Sequence, residues 1–142
     1  MLFRSKSRSF LYNMGDAAGC PPYGDCGTED YEEWTQDNVW YISWGCSSCR
    51  SMPEIYSNSG SLAQQWYNIS LYSRLTYGQQ IFFNGPTTQY TAFQPRSNDP
   101  TCTELDNTPE DGYKQLYTLL NLDPLTEQTS MYWSTDMKWW GE

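Results

Sequence analysis

Two amphipathic helical stretches, each preceded by a short β-rich run, constrain the fold of this 142-residue chain more than any other feature. Over residues 61–74, Leu62, Trp66 and Ile69 recur at helical spacing with Ala63 and Ser70 beside them, and Ser59-Gly60 stands in front as a cap. Over 109–121, Thr108 reads as the N-cap, Pro109 takes the first position and Asp111 completes a variant of the capping box. Tyr113, Leu116, Tyr117 and Leu120 form the apolar stripe of that second helix. Residues 39–44 (VWYISW) precede the first helix, and 80–84, closed by Gly85-Pro86, precede the second; both read as strands. Residues 10–13 and 131–135 read as two more strands, and the acidic stretch 29–34, opened by Thr28, as a short helix.

Strands that alternate with helices at this spacing predict an α/β fold with about four parallel strands, joined by right-handed crossovers. A full (β/α) barrel takes about 250 residues, so the expectation is a partial barrel or a small open sheet. The last strand is followed only by Trp139-Trp140-Gly141-Glu142, which leads us to expect a piece of a larger barrel. Residues 1–9, basic and Ser-rich, read as a disordered or foreign lead, and 10–142 as a single domain.

The charge balance narrows the partners. The chain carries a net charge of -9, and Arg4, Lys6 and Arg8 sit in the lead, which leaves 5 basic residues against 17 acidic ones in the remainder. Such a body repels phosphate backbones and anionic lipid, so no nucleic acid is expected. No apolar run reaches the roughly 18 residues of a membrane helix. Hydrophobic residues make up only 38%, while aromatics reach 17%, including 12 Tyr and 7 Trp. Packing must therefore lean on large rings with polar tips, which also suit stacking on sugars or bases.

The chain has no histidine, which removes Ser-His-Asp and Cys-His nucleophile systems and leaves carboxylates, thiols and aromatics for any chemistry. Cysteines stand at 20, 26, 46, 49 and 102, a pattern compatible with two local disulfides and one free thiol. A zinc site would need an all-Cys or Cys/carboxylate set, and the single CxxC has no matching pair, so neither metal nor cofactor is expected. The sequon Asn68-Ile69-Ser70 falls inside a helix and reads as incidental.

Under the predicted topology three carboxylates follow strands: Asp16, Glu54 and Asp136. Glycoside hydrolysis needs two carboxyl groups at one bond, one protonated and one ionised. Glu54 and Asp136 are the candidate catalytic pair, with Asp16, Trp44, Tyr56 and Tyr90 as substrate-binding residues. Each acid also has a structural alternative: Asp16 beside Gly15 shapes a turn, Asp136 caps a following helix, and Glu54 after Pro53 suits a helix's first turn.

The segments Val39-Trp40-Tyr41-Ile42-Ser43-Trp44-Gly45, Met52-Pro53-Glu54-Ile55-Tyr56, Ala63-Gln64-Gln65-Trp66 and Trp133-Ser134-Thr135-Asp136, taken in order, resemble the later strands of glycoside-hydrolase-like TIM-barrel domains of secreted bacterial proteins. The resemblance spans about residues 9–140 and implies an extracellular, carbohydrate-processing or carbohydrate-binding domain. It also implies that Glu54 and Asp136 line the sugar-facing end. The chain is shorter than such domains, which places the activity of this piece in question.

Two other readings compete. Trp44-Gly45-Cys46-Ser47-Ser48-Cys49-Arg50, followed by Pro53, is similar to a thioredoxin-like active site, with Gly85-Pro86-Thr87 in the place of the facing proline loop. Cys46 and Cys49 would exchange disulfides, although only one clear helix separates Cys49 from Ile81 where that fold needs a strand and a further helix. The last alternative is a non-catalytic surface domain whose tyrosines and tryptophans bind glycan or protein.

Overall fold

The computed structural model describes residues 9–15, 17, 20, 35–94 and 106–138. Helices and short parallel strands are both present, as expected, but in smaller pieces. In chain order they are β1 (Leu11–Asn13), α1 (Gln36–Trp40), a π-helical segment (Tyr41–Gly45), β2 (Cys49–Ser51), α2 (Ser61–Tyr77), β3 (Thr87–Thr88), α3 (Tyr90–Phe93), α4 (Pro109–Leu120) and β4 (Thr135–Asp136). The helix expected at 29–34 lies outside the described residues.

The largest correction concerns 39–44, expected as a strand and found as helix. Thr35 caps α1, its Oγ1 accepting from the Asn38 N–H at 3.3 Å, and Asp37 lies in the first turn. Gln36, Val39, Trp40 and Ser43 are buried, a spacing of three and four that only a helical backbone turns to one side. The β-branched and aromatic residues here follow that packing rather than their strand preference. Trp40 stacks on Tyr77 with centroids 3.8 Å apart and donates its Nε1–H to Ser73 Oγ at 2.9 Å. Its ring passes so close to Gly45 that a Cβ there would lie 2.6 Å away, so this position admits no side chain without a shift.

The strand next to β1 is therefore β2, which pairs with it in parallel, Tyr12 opposite Arg50. β3 pairs in parallel with β4, Thr87 opposite Thr135 and Thr88 opposite Asp136. Isolated parallel bridges, Ser51 to Phe83 and Glu54 to Thr87, link the two sheets. No four-stranded partial barrel is formed among the described residues. Two prolines account for the interruption: Pro53 and Pro86 have no N–H to donate, so each offers only a carbonyl, to Thr87 and Thr135 respectively. The runs expected as strands at 80–84 and 131–135 thus contribute isolated bonds, such as Tyr132 N–H to Asn84 O at 2.9 Å, and regular pairing begins only further along.

The two long helices were placed well by their pattern. α2 extends three residues past the expected end and stops at Gly78, whose left-handed backbone (φ 66°) no larger residue adopts as easily. α4 starts as predicted, with Thr108 Oγ1 accepting from the Asp111 N–H at 3.2 Å and donating to Asp111 Oδ2 at 2.6 Å. Trp66 and Ile69 of α2 and Leu116 and Leu120 of α4 are fully buried with Ile55, Ile81 and Phe83. Trp66 meets Phe83 edge-on, 6.1 Å between centroids. α4 approaches the end of the sheet at Gly112, where a Cβ would stand 2.8 Å from Thr88 Cγ2, and so the helix is seated directly behind β3.

Candidate functional site

Parallel strands send their functional groups to their C-terminal ends, and three of the predicted residues gather there. Asp136, the last residue of β4, has both oxygens engaged. Oδ1 accepts from Thr88 Oγ1 at 2.9 Å, and Oδ2 accepts from the Thr91 N–H at 3.0 Å and from Thr91 Oγ1. Burial, the largest single influence, works to raise its pKa, but the donors on Thr91, Thr88 and the Tyr90 backbone together outweigh it and hold the carboxyl below its ordinary value. Asp136 also closes the first turn of α3 from across the sequence, whereas its position suggested a cap on a helix following it. Tyr90, exposed, opens that helix beside it. Tyr56, half-buried, reaches the same strand end, its hydroxyl 3.9 Å from Met137 Sδ.

Glu54 sits deeper along the sheet, bridged to Thr87. Thr87 pairs with Thr135, whereas Asp136 pairs with Thr88, so the register gives Glu54 and Asp136 to alternate positions of the pleat. In a regular ladder such positions point to opposite faces. The fold brings Asp136, Tyr56 and Tyr90 to one end and does not put Glu54 on the same register line. Asp16 lies outside the described residues.

Trp44 and the cysteines occupy the other end. Trp44 meets Phe82 edge-on with centroids 6.0 Å apart, near the start of the strands. Cys46 and Cys49 form a disulfide, Cα atoms 5.1 Å apart, that closes the turn between the π-helical segment and β2. Cys46 caps the C-terminal end of that helical segment, where the backbone presents carbonyls, the reverse of the helix N-terminus that favours a thiolate. Cys49 is buried. Cys20 is disulfide-bonded too; Cys26 and Cys102 lie outside the described residues.

Sequence reasoning missed the threonines that fix Asp136 and the pair Arg50 and Phe82 on the sheet face. Thr87-Thr88, directly after Gly85-Pro86, was a legible signal of a short strand carrying hydroxyls. Among the described residues no three of His, Cys, Asp and Glu gather as metal ligands, and no helix is long and apolar enough to cross a membrane. Comparison with protein families, curated proteins and solved structures finds no match for this chain.

Proposed function

We propose that this chain is a carbohydrate-contacting domain of glycoside-hydrolase-like kind, its two short sheets serving as an abbreviated part of a barrel. The observation that carries the reading is the anchored, ionised carboxylate of Asp136 at the strand C-termini, flanked by Tyr90 and Tyr56. Fixed by donors on Thr88, Thr91 and the Tyr90 backbone, the carboxylate presents a negative charge that does not have to reorient, and the rings beside it offer apolar faces to the pyranose. Binding is the favoured activity. A carboxyl with a lowered pKa is a poor general acid, so Asp136 suits only the ionised role, and Glu54, at the alternate position of the pleat, is not set to face the same bond. The two disulfide-bonded cysteine sites fit an extracellular, oxidising compartment.

The test is a titration of neutral oligosaccharides, read by heat and by product analysis, with Asp136→Asn and Tyr90→Ala. Loss of binding by about tenfold or more in both variants, with the fold retained, supports the reading. Unchanged affinity in both removes the strand-end site. Glycan cleavage abolished by Glu54→Gln as well as Asp136→Asn extends binding to catalysis.

One observation supports the redox alternative, the bonded Cys46–Cys49 pair. Insulin reduction by the dithiol form, lost in Cys46→Ser, would establish it. The carbonyl-rich setting of Cys46 favours a loop brace instead.

A further inference from the structure

The helices cover one face of the β1–β2 sheet, and among the described residues the rings on the other face stay exposed. On the covered face Asn13 Nδ2 donates to Ser43 Oγ at 2.8 Å, Ser51 Oγ donates to Ser43 O at 2.9 Å, and Phe83 meets Trp66. Parallel sheets are normally buried on both sides, so the open face asks for an occupant. Tyr12 stands opposite Arg50, and Ser51 is bridged to Phe83, so the pleat puts Tyr12, Arg50 and Phe82 in one row on the open face, with Phe10 two residues before Tyr12. Phe10, Tyr12 and Phe82 are 48%, 45% and 52% exposed. Trp44 backs Phe82 from the side. Tyr132, whose N–H bonds to Asn84 O, carries another exposed ring to the next segment.

Arg50 is the informative member of the row. Its Cζ lies 4.5 Å from the centroid of Phe10, and Nη1 donates to Cys49 O at 2.6 Å. In a chain with 17 acidic residues it pairs with no carboxylate among the described residues. Its guanidinium lies over a ring with most of its donors uncommitted among the described residues, between Tyr12 and Phe82 in a row set by the strand separation of about 4.8 Å.

We propose that this face binds an acidic polysaccharide, with sugar rings lying on Phe10, Tyr12 and Phe82 and a uronate carboxylate received by Arg50 as a two-pronged ion pair. The pairing of a planar cation with a planar anion, next to apolar faces, matches a carboxylated pyranose better than a neutral one. A second copy of the chain is a poor occupant, because a two-fold contact through this face would set Arg50 against Arg50. This surface is distinct from the strand-end site, since Arg50 belongs to the β1–β2 sheet and Asp136 ends β4 of the other sheet. The proposal shares with the preceding section only the class of ligand.

The experiment is a titration of the whole chain with an oligogalacturonate, with a neutral cello-oligosaccharide and polyglutamate as controls, followed by heat and by amide chemical shifts. The expected result is binding of the uronate that weakens with added salt, shifts at Tyr12, Arg50 and Phe82, and a loss of about tenfold or more in both Arg50→Gln and Phe82→Ala. Arg50→Lys, which keeps the charge but not the fork, should recover only part of the affinity. Glu110→Gln, on the exposed side of α4 and outside both surfaces, should leave uronate binding unchanged. No binding of the uronate by the wild-type chain overturns the proposal, as does equal binding of polyglutamate, which would make the face an acidic-peptide site. Binding lost in Asp136→Asn but kept in Arg50→Gln overturns it too, and leaves the strand-end reading standing. Circular dichroism of each variant separates lost binding from lost fold, and the wild-type shift map stands without any variant.

Discussion

The carbonyl of Trp133 lies directly on Gly85. A Cβ at Gly85 would overlap the Trp133 oxygen and stand 2.7 Å from its carbon, and the backbone there has φ 144°, a region closed to side chains. Gly85→Ala should therefore lower stability by about 2–4 kcal/mol, through strain and through displacement of the segment that leads into β4. Urea denaturation measures it, and a change under about 0.5 kcal/mol would mean that the two segments are not held together.

Tyr72 and Tyr77 both donate to Asp37 Oδ1, which ties α1 to the end of α2. The bond to Asp37, then burial and the Asp37 charge, push the Tyr77 pKa from 10.0 up to about 12. Burial first, then the same carboxylate, raises that of Tyr72. A raised folded pKa means that the clasp is at full strength below pH 10 and is lost as pH rises through about 12. Ultraviolet titration should show a late tyrosine that Tyr77→Phe removes and Asp37→Asn returns toward 10; a wild-type Tyr77 that ionises at its ordinary pKa would refute the clasp.

Reduction of Cys46–Cys49 should cost about 2 kcal/mol, the small value set by so short a loop. The loosening should be local. β1 is held to β2 by Leu11 N–H to Ser48 O and Met52 N–H to Asn13 O, both at 2.9 Å. Hydrogen exchange at Leu11 and Met52 should accelerate on reduction, while amides in the middle of α2 and α4 keep their protection. Equal acceleration everywhere would make the disulfide a global brace instead.

The lowered pKa of Asp136 gives a second pH dependence, of opposite sign. Its contribution to stability is present above the ordinary aspartate value of 3.8 and is lost as pH falls through the lower folded value. Asp136→Asn should flatten the acid limb of a plot of stability against pH. Thr91→Val, which removes one donor hydroxyl, should shift the same limb upward in pH. Identical acid limbs in wild type and Asp136→Asn would show that the carboxylate is not held by these donors.

The helices were legible because α2 and α4 carry their own start signals and a stripe of the right period, and tertiary packing agreed with both. The segment 39–44 was misread because valine, isoleucine and tryptophan advertise strand, while the deciding signal, Thr35 followed by buried Gln36, Val39 and Ser43, begins four residues earlier. The strands were located only roughly. Pro53 and Pro86 interrupt the ladder, and a run of apolar residues says nothing about which of its N–H groups will find a partner. The strand-end cluster was half legible: Asp136, Tyr56 and Tyr90 could be named from their positions. Their neighbours Thr88 and Thr91 could not, because Asp136 meets them from 45 or more positions away in the chain.

The π-helical segment bears on the open sheet face in a way that neither α1 nor β2 does alone. Its wide turn, closed by Cys46 N–H to Tyr41 O at 3.1 Å, accommodates one more residue than an α-turn would. It therefore acts as a frameshift in helical phase: Ser43 keeps its place in the buried stripe, and the following Trp44 is delivered to Phe82. Deleting one residue between Tyr41 and Gly45 would return the chain to α-phase and rotate the indole by about a third of a turn. A one-codon change in length, with no loss of any ring from the composition, would thus dismantle the back wall of the aromatic row.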